Sequence, residues 1–222
     1  MHKSVHYCAT LLAMILNPAF VLGAEPKGAD EVQVLIKQLV SRNKPPLIEC
    51  GAASYLPDYD KAAQSQAWKA WTRLFETGHT AFPYLLEAQN DLRYCLTAED
   101  PLEGNSGNYS VGQACRIILI QHLQPYGTVY AEGEGDPRTR PRRPDYYRRH
   151  KLHEPEAART CWEARRKNTL RELQVEVLQW VIQEEAKSPE DYSDAERRHL
   201  KNTLRKLEES RDALKPTWPF DK

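Results

Sequence analysis

Seven basic side chains, Arg138, Arg140, Arg142, Arg143, Arg148, Arg149 and Lys151, crowd into residues 138–151 against a single acid, Asp145. Arginine forks grip phosphate or carboxylate through two parallel hydrogen bonds, and Tyr146-Tyr147 set rings between the charges. The chemistry open to such a segment is recognition of an acidic polymer, an anionic headgroup or an acidic patch on another protein. Pro137, Pro141 and Pro144 stiffen its first part. The plainer reading is a solvated loop whose arginines pair with Glu132, Glu134, Asp136 and glutamates of the last helices. The whole chain favours it, because 31 basic side chains balance 31 acidic ones.

Catalytic and metal chemistry find less support. His150, His153 and Cys161 lie close in sequence. A pair of histidines three apart converges on one ion only on a helix, and here Pro155 follows while Arg148, Arg149 and Lys151 oppose a dication, so solvated histidines are expected. His79, His122 and His199 are isolated in sequence and read as capping, packing or solvent-facing rings. Ser41 and Lys44 match the SxxK nucleophile pattern, but Ser41 ends a helix where that serine should begin one, and no KTG element accompanies it. Asp58 and Asp60 stand where a helix start favours negative charge. HExxH, GxSxG, a Walker phosphate loop and a strand-linked GxGxxG are all missing from the sequence. No catalytic residue, metal ligand or cofactor is assigned, and nothing reads as a specific nucleic-acid signature.

The first 24 residues address the chain. Lys3 and His6 precede an apolar run from Cys8 to Leu16, and small residues lead to Ala24 before Glu25-Pro26. This predicts a secretory signal peptide cut after Gly23 or Ala24, hence an exported protein, periplasmic or secreted. Cys8 precedes the apolar run and is no lipoprotein cysteine, and no later run approaches membrane length. Four cysteines follow the leader: Cys50, Cys95, Cys115 and Cys161. In an oxidising compartment an even set without CxxC spacing predicts disulfides, with Cys95 and Cys115 the favoured pair; the alternative is four buried thiols packing as small hydrophobes. Asn108-Tyr109-Ser110 is a glycosylation sequon where the source has that pathway.

The elements that would position these residues are helical. Hydrophobic content of 41% with 28% charged residues is that of a folded globular chain. Val32, Leu35, Ile36, Leu39 and Val40 make one helical face, and residues 47–57 read as a connector. A second helix over residues 58–77 turns Ala63, Ala67, Trp71, Leu74 and Phe75 inward and stops at Gly78. Thr80 is placed to cap a third helix through Pro83, Leu85 and Leu86, residues 92–109 read as a loop, and Ser110 caps a central fourth helix to Leu123. Residues 124–155, with five prolines, read as an irregular connector. Helices over 155–187, with a break point at Asn168-Thr169, and 193–214 complete the chain, the latter opened by a Ser193/Glu196 capping box. Leu200, Leu204, Leu207 and Leu214 form a stripe suited to an antiparallel hairpin, with a coiled-coil interface as the sharper alternative. No stretch alternates as a strand should.

Ala67, Leu74, Gly78, Ala81, Pro83, Leu86 and Asp91, then Val111, Gly112, Ala114 and Leu119, resemble the helix-turn-helix rhythm of HEAT repeats over about residues 59–123. The resemblance implies a stacked helical scaffold that binds by surface shape, although a long loop separates the units and no third copy follows. The expected architecture is all-α: signal peptide 1–24, a HEAT-like region 25–123, a basic Pro/Arg-rich connector 124–155 and a helical hairpin 156–222. The expected function is a non-catalytic scaffold or protein-binding protein of the cell envelope. The alternatives are an enzyme with its site between the two helical halves, or an anion-binding module built on the 138–151 cluster.

Overall fold

A computed structural model describes residues 28–99, 105–124 and 144–216. The expected signal peptide over residues 1–24 and Arg138, Arg140, Arg142 and Arg143 lie outside the described residues. The chain forms α1 (Ala29–Gln38), β1 (Leu47–Glu49), β2 (Ala52–Ser54), α2 (Lys61–Thr77), α3 (Phe82–Ala88), β3 (Tyr94–Glu99), β4 (Ser106–Ser110), α4 (Val111–Leu123), α5 (Tyr146–Arg149), α6 (Pro155–Arg165), α7 (Leu170–Glu185) and α8 (Asp194–Glu209). It is mostly helical, but two small antiparallel sheets correct the all-α expectation.

Both sheets have local causes. Between β1 and β2 the chain turns on Cys50 and Gly51, at φ 48° and 81°. Two successive left-handed residues make a hairpin turn whose twist matches its strands. β3 and β4 pair from Tyr94 opposite Ser110 to Glu99 opposite Ser106, with a register shift between Tyr94 and Leu96. That bulge lets the consecutive Cys95 and Leu96 both be buried, which erases the alternation by which a strand is read.

The helix boundaries follow their caps. Asp60 accepts from the amides of Ala62 (2.8 Å) and Ala63 (3.1 Å) to open α2, and Gly78 at φ 71° closes it. Thr80 does not cap α3 as expected; its hydroxyl donates to the Thr77 carbonyl within the 3-10 turn that joins the two helices. Ser110 with Gln113, Thr169 with Glu172 and Ser193 with Glu196 form reciprocal capping boxes. The one at Thr169 separates α6 from α7.

A single hydrophobic core runs from Val32 to Leu207 through both halves. Trp71, Leu74, Leu85, Ile118 and Leu178 are fully buried in it. Gln174 of α7, also buried, donates to the His122 carbonyl of α4 (2.8 Å) and brackets the backbone of Leu214 from both sides. The expected connector is no loop in its described part. Residues 144–154 contain α5, and Tyr146, Tyr147 and Leu152 enter the core because their apolar area outweighs the charge of their neighbours.

The disulfide expectation finds no support in the cysteine positions. The four cysteines are free, and no two lie at bridging distance. Cys95 on β3 and Cys115 on α4 are both buried in the core, where burial pushes both thiols up to about 12. They pack as small hydrophobes. Cys161 is half-buried and Cys50 exposed at the hairpin tip.

The start of α4 presses on the end of α3. The amide of Val111 donates to the Arg93 carbonyl (2.9 Å) and that of Gly112 to the Asp91 carbonyl (2.8 Å), satisfying first-turn donors. A Cβ on Gly112 would lie 2.3 Å from the backbone oxygen of Gln89 and 3.0 Å from the amide nitrogen of Asp91. Gly112→Ala is therefore expected to lower stability by about 1–3 kcal/mol, as overpacking against backbone does. A urea midpoint equal to that of the unsubstituted protein would show that α3 and α4 do not approach so closely.

Candidate functional site

The two halves meet around a small cavity. α3 and α4 contribute Phe82, Leu86 and Leu119, while α5, α6 and α7 contribute Tyr146, Trp162 and Val177, enclosing about 30 Å³. Trp162 meets Phe82 at 5.8 Å between ring centres. Space of this size with an apolar lining suits a methyl group or the end of an alkyl chain better than a polar substrate.

At its edge the polar side chains converge. On α6, Arg165 stands one turn after Cys161. Its guanidinium grips Glu176 of α7, with Nε 2.9 and 3.0 Å from the two carboxylate oxygens and Nη2 2.6 Å from Oε1. Its Nη1 donates to the Cys161 carbonyl (3.2 Å) and lies 3.4 Å from the thiol sulfur. The Tyr146 hydroxyl of α5 donates to the same Glu176 at 2.7 Å. Three elements are thus held at one carboxylate.

The titration behaviour follows from this arrangement. Burial works against the Glu176 charge, but the Arg165 fork and the Tyr146 hydroxyl outweigh it and leave the carboxyl below its ordinary value. Arg165 is held above its own, chiefly by its hydrogen bonds to Glu176. Burial raises Tyr146, and the acceptor Glu176 adds to the rise. Cys161 is raised by burial, which leaves its thiol protonated and a poor nucleophile at neutral pH. The imidazole of His150 lies 4.0 Å from the Tyr146 ring and 5.5 Å from Trp180, and its Nε2 is buried without a hydrogen-bond partner. A fork already closed on its own carboxylate, with a protonated thiol beside it, fastens helices together rather than attacking a substrate.

The residues singled out in the sequence divide. Arg148, Arg149 and Lys151 are exposed around α5, with Arg148 3.5 Å from Asp145 and Lys151 3.5 Å from Glu154. Tyr146 and Tyr147 are buried beside them, so they are not rings for a ligand to stack on, and the Tyr147 hydroxyl donates to Gln89. His150, His153 and Cys161 do not converge; His153 lies at the surface, 3.9 Å from Glu154. Among the described residues no group of three His, Cys, Asp or Glu side chains could hold a metal ion. The Ser41 hydroxyl accepts from the Asn43 amide in its own turn, and Asp60 both caps α2 and pairs with Arg42. His122 is a core residue: its Nε2 bonds the Phe75 carbonyl at 2.8 Å, which makes Nε2 the protonated nitrogen, and burial lowers its affinity for a second proton. Asn108 of the sequon is engaged at both amide atoms, accepting from Thr97 and donating to the Pro46 carbonyl.

Sequence reasoning missed Arg165, Glu176 and Trp180. They stand on two helices with no local spacing to mark them, and only the turn at residues 166–169 sets α6 against α7. No protein-family model matches this chain, and comparison with curated proteins and with solved structures finds no match. Among the described residues no helix is long and apolar enough to cross a membrane.

The cluster makes a pH-dependent contribution to stability. Glu176 is depressed from 4.5 in the folded protein, so its contribution is complete above that value and is lost as pH falls through the folded value. Glu176→Gln is expected to cost about 1–2 kcal/mol at pH 7, a figure kept low because the pair is partly solvated. The difference from the unsubstituted protein should be smaller at pH 3 than at pH 7. Urea midpoints at the two pH values check this, and an equal difference at both would show that the carboxylate charge does not hold the cluster.

Proposed function

We propose that this chain is an exported, non-catalytic helical scaffold of the cell envelope that binds another protein through the arm carrying β1 and β2. The observation that carries this reading is the exposure of three large apolar side chains on one short segment, Leu47 at 61%, Tyr55 at 47% and Leu56 at 46%. Leu47 stands opposite Ser54 in the hairpin, next to Tyr55. Grouped apolar exposure on an otherwise polar surface is the mark of an interaction site. The leader over residues 1–24 supports the compartment, and the HEAT-like rhythm of residues 59–123 supports a scaffold. The enzyme alternative draws no support from the junction of the halves, where Arg165, Glu176 and Tyr146 are committed to one another.

Cys50 offers a direct test, because its exposed thiol lies at the tip of the same arm while Cys95 and Cys115 are buried. A photoreactive maleimide on Cys50, irradiated in an envelope fraction of the source cells, is expected to yield a discrete protein adduct. The triple variant Leu47→Ser, Tyr55→Ser, Leu56→Ser should lose that adduct while its melting temperature moves by no more than about 4 °C, since exposed substitutions change folding little. An adduct pattern unchanged in the triple variant contradicts the assignment of the arm.

A further inference from the structure

α5 with the turn that follows it closes one side of the cavity between the halves, where Tyr146, Tyr147 and Leu152 all form part of the lining. A helix of four residues is not stable by itself, so the closure rests on side-chain contacts. Tyr146 bonds Glu176, Tyr147 bonds Gln89, and Gln124 reaches Asp145 at 3.3 Å. His150 completes the set by filling the angle between Tyr146 and Trp180.

The slot around His150 suits the neutral ring. Its buried Nε2 has no acceptor to receive a proton-bearing N–H. The groups acting on it are Tyr146 and Arg149 of its own element, Arg165 of α6, and Glu176, Trp180 and Glu184 of α7. Both carboxylates are ion-paired, Glu176 with Arg165 and Glu184 with Lys187, so their pull toward a charged ring is offset by nearby cations. A proton on the imidazole therefore buries a charge and leaves a donor without a partner, and departure from the slot relieves both.

We propose that residues 146–152 are an acid-released strap over the cavity, with His150 as the sensor. Burial lowers the His150 pKa from 6.5, so the closed strap has its full stability above that value and loses it as pH falls below. Release uncovers Phe82, Leu86 and Leu119 to solvent while the core beneath stays folded.

Hydrogen exchange on the full chain tests this. The amides of His150 and Leu152, bonded to the carbonyls of Tyr146 (3.0 Å) and Tyr147 (2.9 Å), report the strap, and those of α4 report the core. Between pH 7.5 and 5.5, after correction for the intrinsic chemical rate, opening of the strap should rise relative to α4, by up to about tenfold, the limit set by one proton taken up in the open state. His150→Phe keeps an aromatic ring in the slot and should abolish that rise; His150→Gln, whose smaller amide also cannot titrate, should abolish it too. A strap with unchanged relative protection in the unsubstituted protein overturns the proposal. So does equal acceleration in α4, which would mark global unfolding driven by the buried His122, or a rise that persists in both variants.

Discussion

A helix buried on several faces must find partners for its polar groups inside the protein, and α4 imposes that constraint on everything around it. Its first amides are met by the turn between α3 and β3, and Ser110 closes the capping box. The Ala114 carbonyl also accepts from the indole of Trp71 on α2 at 3.2 Å. The His122 carbonyl takes the amide of Gln174 on α7, and the His122 ring reaches back to the Phe75 carbonyl. An unmet group at any of these positions costs about 1–3 kcal/mol, so α2, α3 and α7 are fixed in register as well as in contact. Gly112 sets the separation, since no larger residue fits against Gln89.

The back half attaches to this frame through α7, and the polar cluster at Glu176 fastens α5 and α6 to that helix. An ion pair with partial solvent access adds modest stability, yet its bidentate geometry specifies how α6 lies on α7. α5 is held differently. Two tyrosines anchor it while Arg148, Arg149 and Lys151 stay in water, so one short segment is core on one side and a basic surface on the other. The exposed arm of β1 and β2 lies at the opposite extreme, with apolar side chains left outside the core.

What could be read from the residues was what local chemistry determines. Ser110, Asp60, Gly78 and Ser193 mark helix ends through bonds within a few positions, and each acts where its type and spacing indicate. Trp71 and Leu74 belong to the core because the helical period puts them on one face. The hairpins escaped detection for physical reasons: a cysteine occupies a left-handed turn position that asparagine or glycine usually marks, and a bulge breaks the alternation of β3. α5 was hidden because its flanking arginines dominate the composition of a segment whose tyrosines do the packing. Arg165 and Glu176 are eleven residues apart on separate helices, and no pattern along the chain brings them together. The number and expected compartment of the cysteines suggest bridges, but pairing needs proximity, and no two of these four lie at bridging distance.

Native-state exchange at low urea measures the central claim, that α4 and α7 belong to one cooperative unit joined through Gln174. The amides of Leu74, Ile118 and Leu178, in α2, α4 and α7, should share one opening free energy and one urea dependence, because the core that buries them is continuous. An α7 that opens at an energy lower than α4 by more than about 2 kcal/mol, with its own shallower urea dependence, would contradict the account and divide the chain into two separately folding halves.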